Sequence, residues 1–285
     1  MSTRRRFLGG IGLGTASALA GCLGYRGTRG DRAPATDPLG PAPGADTIAR
    51  WTYDPAIHGT DTGAVFFLDR ERALSVADAM PPATARKYAG YLDSVPLPGE
   101  VAHGDVRAHL LVHAREGPRR AAVLFGEFGD GSGTLAADHS LNNDGPIGWE
   151  SSDGALVVAP DDALAATLAA GQEGRDRWSG DPLVAEALAA LGPGDDVSLV
   201  VHPVHDADPA NARFDGGRVR GHRYVFGPES SRSRYVFGFE SAEQAARADV
   251  DAWLATARFA DYGDIVVRRA GRIVVVDGTL PTHAV

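Results

Sequence analysis

The densest group of possible metal ligands in the sequence is the stretch His202-Pro203-Val204-His205-Asp206-Ala207-Asp208. Two imidazoles and two carboxylates at the end of a strand have the chemistry to hold a divalent metal ion or to serve an exported hydrolase. The spacing matches no established metal motif, and Pro203 prevents the helix that would align the two histidines. We therefore expect a solvated loop. The candidate ligands for a metal-dependent alternative are His202, His205, Asp206 and Asp208.

The chain contains parts of other catalytic or ligand-binding motifs, but none of these motifs is complete. His109 and His113 share one face of a predicted strand, but four residues at ~3.3 Å per residue place them roughly 13 Å apart. Asp130-Gly131-Ser132-Gly133-Thr134 lacks the lysine and the spacing of a phosphate-binding loop, and no Gly-x-Ser-x-Gly segment is present. We therefore assign no catalytic residue and no cofactor, and we expect a protein that is not an enzyme.

The first 22 residues carry the pattern of a targeting segment. Thr3-Arg4-Arg5-Arg6-Phe7-Leu8 places arginines directly before two apolar residues, and a run rich in Gly and Ala follows over 9–18. The segment ends on Leu19-Ala20-Gly21-Cys22, with small residues before the only cysteine of the chain. The apolar run is shorter than the about 20 residues that a membrane-spanning helix needs. The pattern predicts a processed signal, and a single cysteine excludes a disulfide within the chain.

This segment resembles a twin-arginine (Tat) signal joined to a lipobox. The resemblance implies export of the folded protein by the Tat translocase, cleavage before Cys22 and a lipid on the Cys22 thiol. It further implies a protein that is tethered through this lipid to the extracellular face of the cytoplasmic membrane. The residues that carry the resemblance are Arg4, Arg5, Phe7, Leu8, Leu19, Ala20, Gly21 and Cys22.

The charge balance limits the partners of the mature protein. The signal holds three of the 28 basic residues and none of the 37 acidic ones, so cleavage changes the net charge from −9 to −12. Lys87 is the only lysine. An acid excess with almost no lysine resembles proteins of haloarchaea; a GC-rich genome is the alternative explanation. Since phosphate binding needs a basic face, we expect no nucleic-acid partner and little attraction to anionic lipid.

Hydrophobic periodicity divides the rest of the chain into short strands and helices. Residues 22–46 are rich in Gly, Pro and Arg without apolar periodicity, which predicts a disordered tether. Strands are expected over 64–69, 105–114, 120–128, 147–150, 155–159, 197–202, 222–226, 234–239, 264–269 and 272–278. Helices are expected over 83–92, 163–170, 183–191 and from Ser241 onwards. Antiparallel hairpins with helices on one face of the sheet give an α+β fold.

Two stretches of the sequence follow one order of elements: strand, strand, helix, strand, strand. The best local match lies between Val123-Leu124-Phe125-Gly126-Glu127-Phe128 and Tyr235-Val236-Phe237-Gly238-Phe239-Glu240. We predict an internal duplication with a first half at 47–175 and a second at 176–285. Two lobes and one shared sheet both fit the pattern. The order resembles that of uncharacterised haloarchaeal surface proteins with repeated α+β domains, which implies a fold and a location but no chemistry.

The function that these patterns favour is a non-enzymatic binding or envelope-associated module on the cell surface, with its ligand or surface partner left open. The alternatives are an exported hydrolase or metal-dependent enzyme that uses residues 202–208, and the solute-binding lipoprotein of a transporter. Trp51, Tyr53, Trp149 and Trp178 either line a binding surface or, as we expect, pack into the core.

Overall fold

One antiparallel sheet forms the centre of the protein. The computed structural model describes residues 44–60, 62–93, 95–99, 101–114, 120–135, 146–152, 154–201 and 217–285, and in these residues the sheet has eleven strands. The strands are β1 (Gly63–Asp69), β2 (Val106–Ala114), β3 (Arg120–Gly126), β4 (Gly131–Leu135), β5 (Ile147–Ser152), β6 (Ala155–Pro160), β7 (Asp196–Val201), β8 (Gly217–Val225), β9 (Ser230–Phe239), β10 (Gly263–Ala270) and β11 (Ile273–Pro281).

Short helices accompany the sheet, and capping side chains fix where several of them begin. They are α1 (Gly44–Trp51), α2 (Arg70–Ser75), α3 (Pro82–Ala89), α4 (Asp161–Leu168), α5 (Pro182–Leu191), α6 (Ala242–Arg247) and α7 (Val250–Leu254). The Asp181 carboxylate, for example, accepts from the backbone N–H groups of Leu183 and Val184 at the start of α5. Within the described ranges, no helix has the length and apolar character needed to cross a bilayer.

The strand order places the two halves of the chain side by side. The order is β10-β11-β9-β8-β7-β1-β2-β3-β6-β5-β4, with β1 and β7 paired antiparallel at the centre. From this centre, each half continues through two strands in chain order and then through a hairpin whose second strand lies inward, β6 before β5 and β11 before β10. The α+β class with an antiparallel sheet is confirmed, and both stretches contribute to a single sheet.

One face of the sheet, here called the α5 face, carries the largest apolar cluster. Alternating strand residues such as Val65, Leu110 and Val197 are fully buried on this face. They pack in one cluster with Ile48 of α1 and Leu188 of α5, and α4 extends the cover towards β6. Because successive side chains of a strand point to opposite faces, the intervening residues form the second face.

The second face, here called the His222 face, also carries helices. Tyr88 of α3 packs with Phe226 after β8, and Trp253 of α7 packs on Tyr235 of β9. The helices therefore lie on both faces of the sheet and not on one face as expected. The physical reason is that β9 and β11 are apolar on both faces, as the buried run 235–237 shows, so that each face needs its own cover.

The observed elements differ from the predicted ones mainly at glycine-rich positions. The predicted strands leave out residues 129–145, yet β4 pairs there with β5. The side chain of Trp149 lies across Gly133, where a Cβ atom would approach the indole Nε1 to 2.8 Å. Helix α1 begins at Gly44, three residues before the expected start of the folded part. Trp51, Tyr53 and Trp178 are buried as expected, whereas Trp149 is half-buried.

Candidate functional site

The middle of the His222 face is covered less completely than its two ends. The strand registers place Leu111, Phe66, Ser198, His222 and Tyr235 in one row across β2, β1, β7, β8 and β9. The first four of these residues are half-buried, and the last is fully buried. Four strands at ~4.8 Å spacing give this half-exposed strip a width of about 15 Å.

His222 holds the most constrained polar side chain of the strip. Its imidazole stacks on the Tyr235 ring with centroids 4.1 Å apart and an interplanar angle of 15°. The Tyr224 ring meets it edge-on at 4.3 Å and 81°. The Nε2 atom lies 3.0 Å from the Ser233 hydroxyl, on the strand that carries Tyr235. Two rings and a hydrogen bond therefore fix the orientation of the imidazole.

Three tyrosine hydroxyls extend this arrangement. The Tyr262 hydroxyl lies 3.4 Å from that of Tyr224 and 3.3 Å from that of Tyr235. It also donates to the Ser233 Oγ atom at 3.3 Å. His222, Ser233 and the three tyrosines are here called the His222 cluster. Because Tyr224 and Tyr262 are half-buried, the hydroxyl groups lie at the border between the core and solvent.

The His222 cluster is electrically neutral near pH 7, with two cations beside it. Burial, reinforced by the positive charges of Arg258 and Arg220, holds the pKa of His222 well below its usual value. Burial also raises the pKa of Tyr224 and of Tyr235 above the usual tyrosine value. The Arg258 guanidinium lies 5.3 Å from the centre of the Tyr235 ring, within cation–π range. The cluster therefore combines neutral donors and acceptors with a positive local potential.

An aromatic layer behind the cluster fixes Tyr235 in place. Trp253 contacts Tyr235 at 5.1 Å, Phe237 at 5.0 Å and Phe259 at 4.3 Å, measured between ring centroids and in edge-to-face geometry. Such pairs stabilise by about 0.5–1.5 kcal/mol each beyond the area that they bury. The Ser241 cap of α6 and the Asp249 cap of α7 hold the helices that carry this layer. The half-exposed strip therefore rests on well-packed elements.

The contact between His222 and Ser233 has the distance of a base–nucleophile pair, but its surroundings favour binding. Ser233 is only 3% exposed, so an acyl substrate cannot reach its oxygen without displacement of neighbouring side chains. Its Oγ atom also accepts from Tyr262. A base with a strongly lowered pKa is moreover a weak proton acceptor. The arrangement fits a fixed recognition surface better than a catalytic dyad.

A second histidine on the same face lies in the opposite kind of environment. His109 on β2 is fully buried, and its ring lies 5.1 Å from that of Tyr91. Among the described residues, neither ring nitrogen has a hydrogen-bond partner. Burial, with a smaller effect of Arg70, lowers the pKa of His109 to about 4. This imidazole is therefore a neutral core side chain.

Tyr88 and Asp196 form a polar contact between the helices of the first half and the centre of the sheet. The Tyr88 hydroxyl donates to the Asp196 Oδ2 atom at 2.7 Å. Burial raises the pKa of Asp196, and this hydrogen bond opposes the rise. This hydrogen bond connects α3 to β7.

The site residues predicted from the sequence fall outside the described residues. This holds for the signal, for the lipidation site Cys22 and for the candidate ligands His202, His205, Asp206 and Asp208. In the part of the chain that is described, no group of three or more His, Cys, Asp or Glu side chains could hold a metal ion. His109 and His113 lie four residues apart along β2, which gives no shared site.

No sequence pattern indicated the His222 cluster, because its members come from three segments of the chain. His222 and Tyr224 belong to one predicted strand, Tyr235 to the next, and Tyr262 to the turn before β10. The available signal was the short connection after Val225: a hairpin there pairs His222 with Tyr235. That signal identifies neighbours across two strands but not the position of Tyr262.

No family model matches the chain. No curated protein matches it either. Among solved structures, two crystal forms of TP0453 are similar, form I with a TM-score of 0.40 and 8% identity and form III with 0.44 and 9%. Each alignment covers 88% of this chain, and it covers 95% of the form I chain and 96% of the form III chain.

Proposed function

We propose that this protein is an exported, lipid-anchored binding protein and that its ligand surface is the half-exposed strip around His222. The observation that carries the proposal is the imidazole itself, which is held in one orientation by Tyr235, Tyr224 and Ser233 while a part of it stays exposed. Fixed aromatic and polar groups on rigid strands are the usual construction of a small-molecule site. In this proposal the protein is not an enzyme.

The chemistry of the strip defines the class of ligand. Phe66, Leu111 and the His222 ring offer a flat, largely apolar floor. Arg220 projects from the same face of β8 as His222, and the Arg258 charge lies beside Tyr235. A planar organic anion, such as an aromatic carboxylate, places its ring on the floor and its negative charge towards these arginines.

The lipid anchor in this proposal rests on the sequence of residues 1–22. A signal with paired arginines followed by Leu19-Ala20-Gly21-Cys22 supports export and lipidation. Membrane fractionation with intact-mass analysis, on wild type and Cys22→Ser, tests this part. A membrane-bound wild type that begins at Cys22 and carries a lipid mass supports it, and a soluble wild type without added mass contradicts it.

Thermal unfolding of the mature chain in the presence of chosen probes tests the ligand surface. The probes are benzoate and indole-3-carboxylate, each with its neutral amide as the matched control. At a concentration 100 times Kd, a ligand adds about 2.7 kcal/mol, or roughly 5–10 °C for a domain of this size. We expect the acids to raise the Tm of wild type and of His109→Leu, but not that of His222→Ala or Arg220→Gln. Equal shifts in all four proteins contradict the proposed site.

A hydrolase that uses Ser233 is the second candidate, because the distance between His222 and the Ser233 hydroxyl is 3.0 Å. A fluorophosphonate probe that labels activated serines separates the two functions. We expect wild type and Ser233→Ala to show the same lack of labelling. Stoichiometric labelling of wild type that disappears in Ser233→Ala would establish the enzyme.

A further inference from the structure

Four arginines lie together on the α5 face near the end of helix α5, in a protein that is otherwise acidic. Arg223 of β8 lies directly opposite Arg234 of β9 in the register, and Arg232 is two residues from Arg234 on the same face. Arg268 of β10 joins them through an ion pair with Asp277. These four residues are here called the arginine patch.

The four arginines of the patch carry more positive charge than Asp277, the carboxylate that pairs with two of them, can neutralise. Arg234 pairs with Asp277 at 2.5 Å and donates to the Ala190 carbonyl at the end of α5. Arg268 shares this one carboxylate, and Arg223 donates to the Pro193 carbonyl. Burial and the charge of Arg234 lower the pKa of Arg223 to about 10, so it stays charged at neutral pH. Asp195, a further acid near Arg223, is buried and lies 3.8 Å from Arg72.

The chain enters the described fold beside this patch. Gly44 begins α1 so close to Gly194 that a Cβ atom on Gly44 would lie 2.6 Å from the Gly194 backbone nitrogen. A Cβ atom on Gly194 would in turn lie 3.1 Å from the Arg223 Cβ. The segment that connects Cys22 to Gly44 therefore ends next to the arginine patch.

The tether length keeps this region near the membrane when Cys22 carries a lipid. The sequence predicts a disordered tether before Gly44, and a flexible chain of the 22 steps from Cys22 to Gly44 would have a root-mean-square end-to-end distance of about 26 Å. The attachment point therefore stays close to the lipid surface, whereas the edge of the sheet at β4 lies six strand positions away from β7, the strand that follows Gly194. Proximity of this kind favours whichever surface contact lies next to the tether.

The acidic composition predicts little attraction to anionic lipid for the surface as a whole, but we propose that the arginine patch is a local exception. It binds the phosphate groups of anionic lipids and orients the anchored protein with this corner against the membrane. The inference rests on the lipid anchor of the proposed function. The net charge of −12 on the mature chain repels the remainder of the molecule from an anionic surface. Attraction of the patch and repulsion of the remaining acidic surface therefore favour the same orientation of the protein on the membrane. Arginine forms bidentate contacts with phosphate oxygens, which suits this role.

The single native cysteine permits a direct test in the lipidated protein. With Cys22 modified by lipid, Ser230→Cys beside the patch or Ser132→Cys on β4 provides one site for a nitroxide spin label; both serines are exposed. The protein is anchored in vesicles of phosphatidylcholine alone or with phosphatidylglycerol, each with a nickel-chelating lipid. We expect nickel to relax the label at position 230, but not at 132, and to do so more strongly in the anionic vesicles.

Two double variants of equal net charge complete the experiment. Each arginine at an anionic surface strengthens the contact about fivefold, so Arg232→Gln with Arg268→Gln should weaken the oriented state about 25-fold. The matched control, Arg175→Gln with Arg247→Gln, removes two exposed arginines elsewhere and should leave it unchanged. Equal relaxation at 230 and 132, or no effect of the patch variant, overturns the inference while the lipid mass still supports the anchor. A missing lipid mass overturns the anchor and this inference together.

Discussion

His109 and His222 occupy corresponding strands in the two halves of the sheet, yet their surroundings are opposite. His109 on β2 is fully buried beside Tyr91, without a hydrogen-bond partner among the described residues. His222 on β8 is half-exposed, stacked on Tyr235 and hydrogen-bonded to Ser233. The comparison shows that one strand order can place an imidazole either in the core or at the half-exposed surface of the sheet.

The difference originates in where each half inserts its helices. In the first half, α2 and α3 follow β1 directly and cover the region of β1 and β2 near His109. In the second half, α6 and α7 follow β9 and cover β9 to β11, beyond His222. In the first half, α2 and α3 therefore cover the middle of the His222 face at His109. In the second half, α6 and α7 lie to the side of His222 and leave it half-exposed.

The largest expected effect comes from removal of the aromatic layer that supports His222. Trp253→Ala deletes a 3% exposed indole that contacts Tyr235, Phe237 and Phe259. We expect the free energy of unfolding to fall by about 3–5 kcal/mol, as for other large-to-small core changes. Urea denaturation measures the loss. Trp149→Ala, at a half-buried indole of the first half, should cost clearly less; an equal cost would remove the distinction between the two regions.

The contact between Tyr88 and Asp196 should have the next largest effect, because it holds the helices of the first half. Tyr88→Phe leaves the buried Asp196 carboxyl without its 2.7 Å donor, which we expect to cost about 2–3 kcal/mol. A double-mutant cycle with Asp196→Ala, which removes the acceptor, checks the assignment. Additive effects of the two substitutions would show that the hydrogen bond contributes no stability.

Because the pKa of His109 is lowered in the folded protein, we expect the free energy of unfolding to depend on pH. Its folded pKa is about 4, below the unfolded value of about 6.5. As pH falls from 6.5 towards 4, the unfolded chain binds a proton that the folded protein does not bind, so the free energy of unfolding decreases. We expect His109→Leu to remove about 2 kcal/mol of this decrease at pH 5. Urea titrations of both proteins at pH 7 and pH 5 measure it, and parallel losses would contradict the buried neutral imidazole.

The smallest expected effect concerns the cap of α6, which lies over the second half. The Ser241 Oγ atom accepts from the Gln244 N–H group at 3.2 Å, and the Gln244 side chain accepts from the Ser241 N–H group. Ser241→Ala should cost about 1 kcal/mol, measured by thermal unfolding. Glu243→Gln, at an exposed neighbour outside the cap contacts, is the control and should change stability by less than about 0.5 kcal/mol.

The strands could be predicted from the sequence because each depends mainly on the alternation and type of residues within its own segment. The pattern of 105–114 and the pair of runs at 264–269 and 272–278 correspond to β2 and to the hairpin β10–β11. The helix predicted from Ser241 onwards corresponds to α6, which Ser241 caps in a capping box with Gln244. Such features depend on residues that are close in the chain, and therefore a sequence pattern contains them.

The candidate site could not be predicted, because it depends on contacts between distant segments. The pairing of β1 with β7 brings Phe66 beside Ser198, and no local pattern specifies that register. Tyr262 reaches Ser233 across two strands, and Trp253 supports Tyr235 from a helix. The apolar run 235–237 indicated a buried strand but not that both of its faces would need helical cover.

The central claim, a ligand surface around His222, is tested most directly by nuclear magnetic resonance of the histidine rings during titration with indole-3-carboxylate. Signals of His222 and His109 are assigned with His222→Ala and His109→Leu. We predict that the His222 signals shift in a saturable manner, that those of His109 stay constant, and that the neutral amide has a much smaller effect. Unchanged His222 signals in the presence of each aromatic carboxylate, or equal shifts of both histidines, would contradict the account.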